Sequence, residues 1–132
     1  DVKKKFNISE SVEFEMSDKD LTFPTCSYKW KDGKVKMKMK IAAQEVEVDM
    51  DSEVMIVMVA NANESKYNTS IKSYSDGQEE ATGDMSTWSD KRSQLTFLAK
   101  KHLFHVHVKA SNETNDNKKN AIDIANHIIA AL

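Results

Sequence analysis

Hydrophobic and charged residues alternate strictly along the segment KVKMKMKI, Lys34–Ile41. A period of two is typical of a half-buried β-strand, with lysines on one side and apolar residues on the other. The alternation returns with acidic residues in the segment EVEVDM, Glu45–Met50. Folding the two runs about Ala42-Ala43 predicts a hairpin in which lysines face acids across the strands.

This hairpin predicts a definite register. Its charged pairs are Lys40 with Glu45, Lys38 with Glu47 and Lys36 with Asp49, and its apolar pairs are Met39 with Val46 and Met37 with Val48. Such pairs contribute about 0.2–1 kcal/mol each, and a slip by one residue would turn every lysine toward the core. We therefore expect the methionines in the core. Alanines are poor two-residue turn formers, so a wider loop stays open.

Upstream, Asp32-Gly33 is a hairpin turn signal that would set Trp30 near Val35 and Cys26 near Met39. The first half is then a three-stranded meander with Cys26 as a small buried hydrophobe. Its strands would span Cys26–Lys31, Lys34–Ile41 and Gln44–Met50.

Downstream, Asp51-Ser52-Glu53 looks like a helix start, and Val54, Met55, Met58 and Ala62 share a helical face. This pattern favours a helix over Ser52–Ser65, although the run VMIVMVA fits a strand equally well. The following segment, Ser73–Gly83, is rich in turn residues.

In the second half, strands resume near Trp88, and Gln94–Ala99 and His102–Lys109 form a hairpin about Lys100-Lys101. After a polar loop at Ser111–Lys119, apolar residues at helical spacing predict a terminal amphipathic helix. One face of the hairpin is apolar and the other is solvent-exposed. The apolar face carries Leu95, Phe97, Phe104, Val106 and Val108, the exposed face Gln94, Thr96, His105 and His107, and the helix Ala121, Ile124, Ala125, Ile128 and Leu132.

The fold class predicted is a single α+β domain over residues 1–132, with an antiparallel sheet of about five to six strands and two to three helices. Trp30 and Asp32 precede the apolar strand residues at the same offsets as Trp88 and Asp90. One interpretation is a duplicated βββα-type unit over residues 26–66 and 86–132. The other is ordinary α+β patterning.

Composition narrows the functional classes. The net charge is −2, which disfavours nucleic acid as a partner. The chain contains neither a signal peptide nor an apolar run near the roughly 20 residues of a membrane span, so we expect a soluble protein. It begins at Asp1, which suggests a trimmed form. Cys26 is the single cysteine, so a disulfide within these residues and a multi-cysteine metal site are excluded.

The best candidates for metal ligands are His105 and His107, alternate strand residues on one face about 7 Å apart. A zinc site normally needs at least three protein ligands, and His102, Asp84 or Met85 could contribute. Copper would suit the seven methionines, but the alternation already places several of these in the core. Catalytic residues and cofactors are not predicted: Glu79-Glu80 and Asp116 lie in polar loops, and a glycine-rich phosphate loop is absent.

Several short segments resemble small secreted or lipoprotein-type domains of bacteria, chiefly Bacteroidetes, of uncharacterised function. These segments are DVKKKF (1–6), CSYKW (26–30), GDMSTW (83–88), QLTFL (94–98) and AIDIANHII (121–129). The resemblance implies an exported location, periplasmic or extracellular, with a lipid tether through a segment preceding residue 1. It also implies a second cysteine before Asp1 that pairs with Cys26. It supplies neither a substrate nor catalytic residues.

Two functional hypotheses follow. The first is a non-catalytic exported domain that binds a protein, a glycan or a small molecule through an exposed sheet face or a groove between the halves. The alternative is a metal-binding protein that uses His105 and His107.

Overall fold

The computed structural model describes residues 2–19 and 23–132, so Asp1 of the DVKKKF segment lies outside it. Within these residues all strands form one antiparallel seven-stranded sheet in the order β1-β2-β3-β7-β6-β5-β4. The helices are α1 (Val2–Lys5), α2 (Glu64–Ile71) and α3 (Thr114–Ala131), and the strands are β1 (Phe14–Lys19), β2 (Thr25–Ile41), β3 (Gln44–Val59), β4 (Gln78–Glu80), β5 (Met85–Ser89), β6 (Gln94–Ala99) and β7 (His102–Lys109). The predicted α+β class with an antiparallel sheet is confirmed. The strand number exceeds the five to six expected, because β1 and β4 were not predicted.

Helices cover the two faces of the sheet over its centre. We call the side that packs against α3 the α3 face and the opposite side the α2 face. The α3 face holds the larger core, in which sheet residues meet Ala121, Ile124 and Ala125 of α3. On the α2 face, Tyr67 packs against Leu98 and Leu103. Sheet residues buried on the α3 face include Trp30, Val54, Trp88, Leu95, Phe97, Phe104, Val106 and Val108.

The second half follows the sequence pattern closely. The hairpin of β6 and β7 is confirmed, with Leu95 opposite Val106 and Phe97 opposite Phe104. The terminal helix is also confirmed, but it begins at Thr114, inside the predicted loop. In this first part of the helix Asn117 is fully buried, and its Oδ1 accepts hydrogen bonds from the backbone N–H groups of Ala110 and Ser111, which ties α3 to the end of β7.

The predicted helix over Ser52–Ser65 is wrong, and its first half is a strand. Residues 53–59 of β3 pair with β7 inside the sheet, so side chains on both sides of the strand are buried or half-buried. A run of apolar residues on both sides of a strand suits a strand inside a sheet as well as it suits a helix. The helix starts later, where the side chain of Asn63 caps α2 by accepting a hydrogen bond from the Lys66 N–H at 3.0 Å.

The predicted hairpin at Asp32-Gly33 is also wrong, because β2 continues through it as a bulge. Between the pairs Trp30–Ser52 and Val35–Met50, β2 has four residues and β3 has one, an excess of three. Since side chains alternate along a strand, an odd excess reverses which residues of β2 point to the α3 face. Even-numbered residues face α3 up to Trp30, and odd-numbered residues do so from Val35 onward.

The carboxylate of Asp32 holds the bulge together. It accepts hydrogen bonds from Trp30 Nε1 at 3.0 Å, from the Lys34 N–H at 3.1 Å and from Ser52 Oγ at 3.2 Å. Gly33 takes a positive φ of 76°, a conformation that costs a side chain about 1–2 kcal/mol. The turn signal in the sequence is therefore real, but it shifts the register instead of reversing the chain.

Beyond the bulge, β2 and β3 form a two-stranded ribbon of residues 35–41 and 44–50, which we call the arm. The register predicted from the charge pattern is confirmed at every pair from Lys36–Asp49 to Lys40–Glu45. The turn has only two residues, Ala42 and Ala43, with φ of 51° and 67°. The wider loop left open by the sequence is therefore not formed.

One contact is shared by the two proposed repeats. Trp30 Nε1 donates to Asp32 at 3.0 Å, and Trp88 Nε1 donates to Asp90 at 2.5 Å. The halves differ in strand number, since two strands precede α2 in residues 26–66 and three precede α3 in residues 86–132. The duplicated βββα-type unit stays a prediction.

Replacing Asp32 with alanine tests whether its carboxylate sets the register of the arm. We expect the free energy of unfolding to fall by about 1–3 kcal/mol, because a part-buried indole N–H and two other donors lose their acceptor. Amide hydrogen exchange across residues 35–50 should accelerate. The control is Asp51→Ala, which removes the same charge from an exposed position on the facing strand. Equal urea-unfolding curves for the two variants would contradict this role.

Candidate functional site

The arm projects past the rest of the sheet. β1 pairs with β2 only as far as Trp30, and β7 pairs with β3 only from Glu53 onward. Among the described residues, therefore, no third strand flanks the arm on either edge. Its base is anchored by Val35, which is buried, and by the Lys36 N–H, which donates to Asn112 Oδ1 at 3.1 Å.

One face of the arm is apolar and open to solvent. Met37, Met39, Ile41 and Met50 are 43%, 41%, 56% and 38% exposed. The expectation that these methionines lie in the core is wrong. Alternation predicts that one side of a strand avoids water, but it does not identify what covers that side.

Sequence reasoning missed this surface, although strand length carried a signal. β2 and β3 have 17 and 16 residues, whereas β7 has 8. Strands of more than about 10 residues are unusual in globular sheets. Two such strands beside a shorter neighbour must overhang it, so their ends cannot be covered from the same sheet.

The opposite face of the arm is charged and internally paired. Lys36 Nζ lies 2.6 Å from Asp49 Oδ1, and Lys38 Nζ lies 3.9 Å from Glu45 Oε1. The hydrogen bond between Lys36 and Asp49 raises the pKa of the lysine and lowers the pKa of the carboxyl. Lysines and acids nearly balance, so this face presents no strong net charge to a partner.

His105 lies in a polar layer on the α2 face, beneath the segment that follows α2. Thr96 Oγ1 lies 2.8 Å from His105 Nδ1 and 2.6 Å from the hydroxyl of Tyr74, which also accepts from Gln94 Nε2 at 2.6 Å. Thr96 is fully buried and His105 is half-buried. The expectation of a solvent-exposed face is therefore wrong here, because Tyr74 covers it.

His107 lies on the same face, as the sequence predicts, and its Nδ1 donates to the carbonyl oxygen of Arg92 at 3.0 Å. This hydrogen bond leaves the Nε2 lone pair as the ring's acceptor. Met55 of β3 is the residue opposite His107. Within residues 2–19 and 23–132, no group of three or more His, Cys, Asp or Glu side chains could hold a metal ion. His102, named as a further ligand, points to the α3 side, where its ring contacts Phe104.

Cys26 differs from its predicted setting. It is half-buried and lies opposite Asp18 and Ile56, not beside Met39, because β2 does not turn at Asp32-Gly33. Burial raises the pKa of its thiol, and the nearby Asp18 carboxylate raises it further. The protonated thiol is a poor nucleophile.

Two further surfaces were expected to bind ligands. The groove between the halves is absent from the described sheet, since β3 and β7 pair directly over seven residue pairs. The exposed sheet face is present as a shallow groove of about 630 Å³ on the outer three strands. Its lining is mixed: Phe14, Met16 and Met55 are apolar, and the hydroxyl and charged residues are Glu15, Ser17, Lys19, Thr25, Ser27 and Lys29.

The acidic residues considered for catalysis either form an ion pair within the fold or are exposed to solvent. Glu80 forms an ion pair with Lys118 of α3. Asp116 is exposed in the first turn of α3. The Ser111 hydroxyl donates to the Asp116 carboxylate at 3.5 Å in an exposed hydrogen bond, and neither acid has a histidine contact among those described.

Comparisons of the chain with family models, curated proteins and solved structures find no match. Of the helices in the described part of the chain, none has the length and apolar character needed to cross a membrane. The functional argument therefore depends on the chemistry of the surfaces themselves, among which the apolar face of the arm joins four exposed hydrophobic side chains on one ribbon.

The setting of His105 predicts a pH-dependent stability. Burial lowers its pKa below the ordinary 6.5, so the unfolded chain takes up a proton before the folded protein does. The contribution of neutral His105 to the free energy of unfolding is complete above the unfolded-state pKa of about 6.5. It is lost as the pH falls from there through the folded-state pKa. We expect His105→Gln to remove this part of the acid sensitivity. Urea unfolding between about pH 8 and pH 5 with chelator measures it; parallel pH profiles for the two proteins would contradict it.

Proposed function

We propose that the protein is a non-catalytic exported domain that binds another protein through the apolar face of its arm. The observation that carries the proposal is the exposure of Met37, Met39, Ile41 and Met50 on one face of a ribbon that no described element covers. Exposed contiguous apolar surface on a folded domain commonly marks an interaction site. Methionine suits such a surface because its side chain is flexible and polarizable.

The shape of the arm favours a protein over a glycan or a small molecule. Small ligands bind in concave pockets that enclose most of their surface, whereas the arm is an open ribbon. Apart from Gln44 at the tip, opposite Ile41, its apolar face also lacks the polar groups that fix the orientation of a hydroxyl-rich ligand. A protein surface can cover an open ribbon without a cavity.

The exported location and the lack of catalysis have separate support. The location, periplasmic or extracellular with a lipid tether, follows from the resemblance to secreted and lipoprotein-type domains. The non-catalytic role is supported by the surroundings of Glu80, Asp116 and Cys26 described above. A turnover that one substitution abolishes would contradict this role.

Photo-crosslinking from adjacent residues tests the arm as a binding surface. A photoreactive amino acid replaces Met39 on the apolar face in one variant and Lys38 on the charged face in the matched control. In cells that produce the protein, we expect a discrete covalent adduct from position 39 and none from position 38. Mass spectrometry identifies the second component. Equal or absent labelling at the two positions would contradict a binding role for the apolar face.

Metal binding is a second candidate, favoured by the contact of His107. Metal-bound histidines usually donate their other ring N–H to a carbonyl or carboxylate, as His107 does to Arg92. The neighbouring His105 and the facing Met55 would give two imidazoles and a thioether, a donor set that suits copper(I) better than zinc.

Thermal unfolding with copper(I), zinc or chelator tests this candidate. A metal that binds the folded state at 100 times its dissociation constant stabilises it by about 2.7 kcal/mol, so the midpoint should rise. Replacing His105 and His107 together with glutamine should abolish the rise. The control is His127→Gln on the exposed side of α3. A rise that survives the double substitution would exclude these ligands.

A further inference from the structure

The apolar face of the arm is continuous with the core of the domain at one end. Val35 is 4% exposed, and its cross-strand partner Met50 is 38% exposed. From there toward the tip, Met37, Met39 and Ile41 stay between 41% and 56% exposed. A two-stranded ribbon alone is only marginally stable in water, so a covering layer on this face would stabilise the arm.

We infer that a second copy of this chain covers this face, with two arms packed apolar face to apolar face about a two-fold axis. This inference rests on the proposed function and identifies the protein partner. Two copies of one ribbon match in length, width and twist, and sheets pack face to face at about 10 Å. Methionine side chains on both sides can adjust to fill the space between them.

Charge directs a second copy to this face instead of to the edges of the arm. If the β2 edges of two arms paired about a two-fold axis with their charged faces on the same side, lysines would oppose lysines. The β3 edges would place Glu45, Glu47 and Asp49 opposite one another, and like charges directly opposite are destabilising. With one arm turned over, charged residues would lie beside apolar ones. Neither symmetric edge pairing is favourable, and edge lysines are a common device against it.

Charge also argues against a strongly charged partner. The apolar face carries no ionisable group between Val35 and Ile41 or between Val46 and Met50, because the charged residues of both strands point to the other side. On that other side, Lys36 is already paired with Asp49. An uncharged apolar surface of similar size is the complement this face requires, and the arm of a second copy supplies one.

The size of the arm sets the expected affinity. Seven residue pairs span about 23 Å along the strands and about 10 Å across them. This footprint is smaller than the roughly 800 Å² per partner of a standard interface. We therefore expect a reversible dimer whose population depends on protein concentration.

Sedimentation equilibrium of the purified chain tests the inference. The mass should rise with concentration from 15.0 kDa to twice that value and then stop. Met39→Thr with Ile41→Thr, which keeps strand-favouring residues, should weaken association by about tenfold or more. The matched control is Lys38→Thr with Lys40→Thr on the charged face, which should dimerise like the wild type. Fluorescence of the buried Trp30 and Trp88 reports that each variant is folded.

Three outcomes would overturn the inference. A wild-type chain that stays monomeric at every concentration excludes the second copy, and an adduct with a different protein from position 39 would then leave the proposed function standing. Growth beyond a dimer would mean that a lysine edge of one arm pairs with an acidic edge of the next, a contact that does not close. Equal loss of association in the control pair would show that the apolar face is not responsible.

Discussion

The bulge between Trp30 and Val35 is the constraint on which the rest of the structure depends. It inserts an odd number of extra residues into β2 and so determines which side of the arm is apolar. Without it, Lys36, Lys38 and Lys40 would lie on the side of the sheet that packs against α3, and the open face beside the core would carry charges in place of methionines. A single carboxylate, that of Asp32, connects the indole before the bulge, the backbone within it and the facing strand.

The molecule is divided into a part whose faces are covered and a part whose apolar face is not. At the centre, β7 and β6 lie between α3 and the segment around α2, and even the polar side chains of Thr96 and Asn117 are hydrogen-bonded there. In the arm, the same alternation of apolar and charged residues continues without a covering element. The proposed binding role follows from this contrast, since the chain builds an apolar surface where its own helices do not reach.

Sequence reasoning succeeded where contacts are local and failed where they depend on distant elements. The registers of the β6–β7 hairpin and of the arm were predictable, because side-chain period and charge pairing determine them between neighbouring strands. Asp32-Gly33 was misinterpreted because one local conformation serves both a turn and a bulge, and only the pairing of β2 with residues far along the chain distinguishes them. The apolar run of β3 was misassigned because its position between β2 and β7 is set by tertiary structure, which the local sequence does not record. The exposure of Met37 and Met39 depends on how far α3 extends, which no pattern within the arm records.

The tip of the arm bears on the order in which the chain folds. Hairpins that close on Asn-Gly or Asp-Gly begin at the turn, since those residues adopt left-handed conformations easily. Here Ala42 and Ala43 must adopt them, at a cost of about 1–2 kcal/mol each. The turn is therefore a poor nucleus, and the ladder has a better starting point at its base, where Asp32 and Ser52 meet. Strand pairing in the arm would then proceed from its base to its tip, after the rest of the sheet has formed. The last native contacts to form would be those farthest from the core.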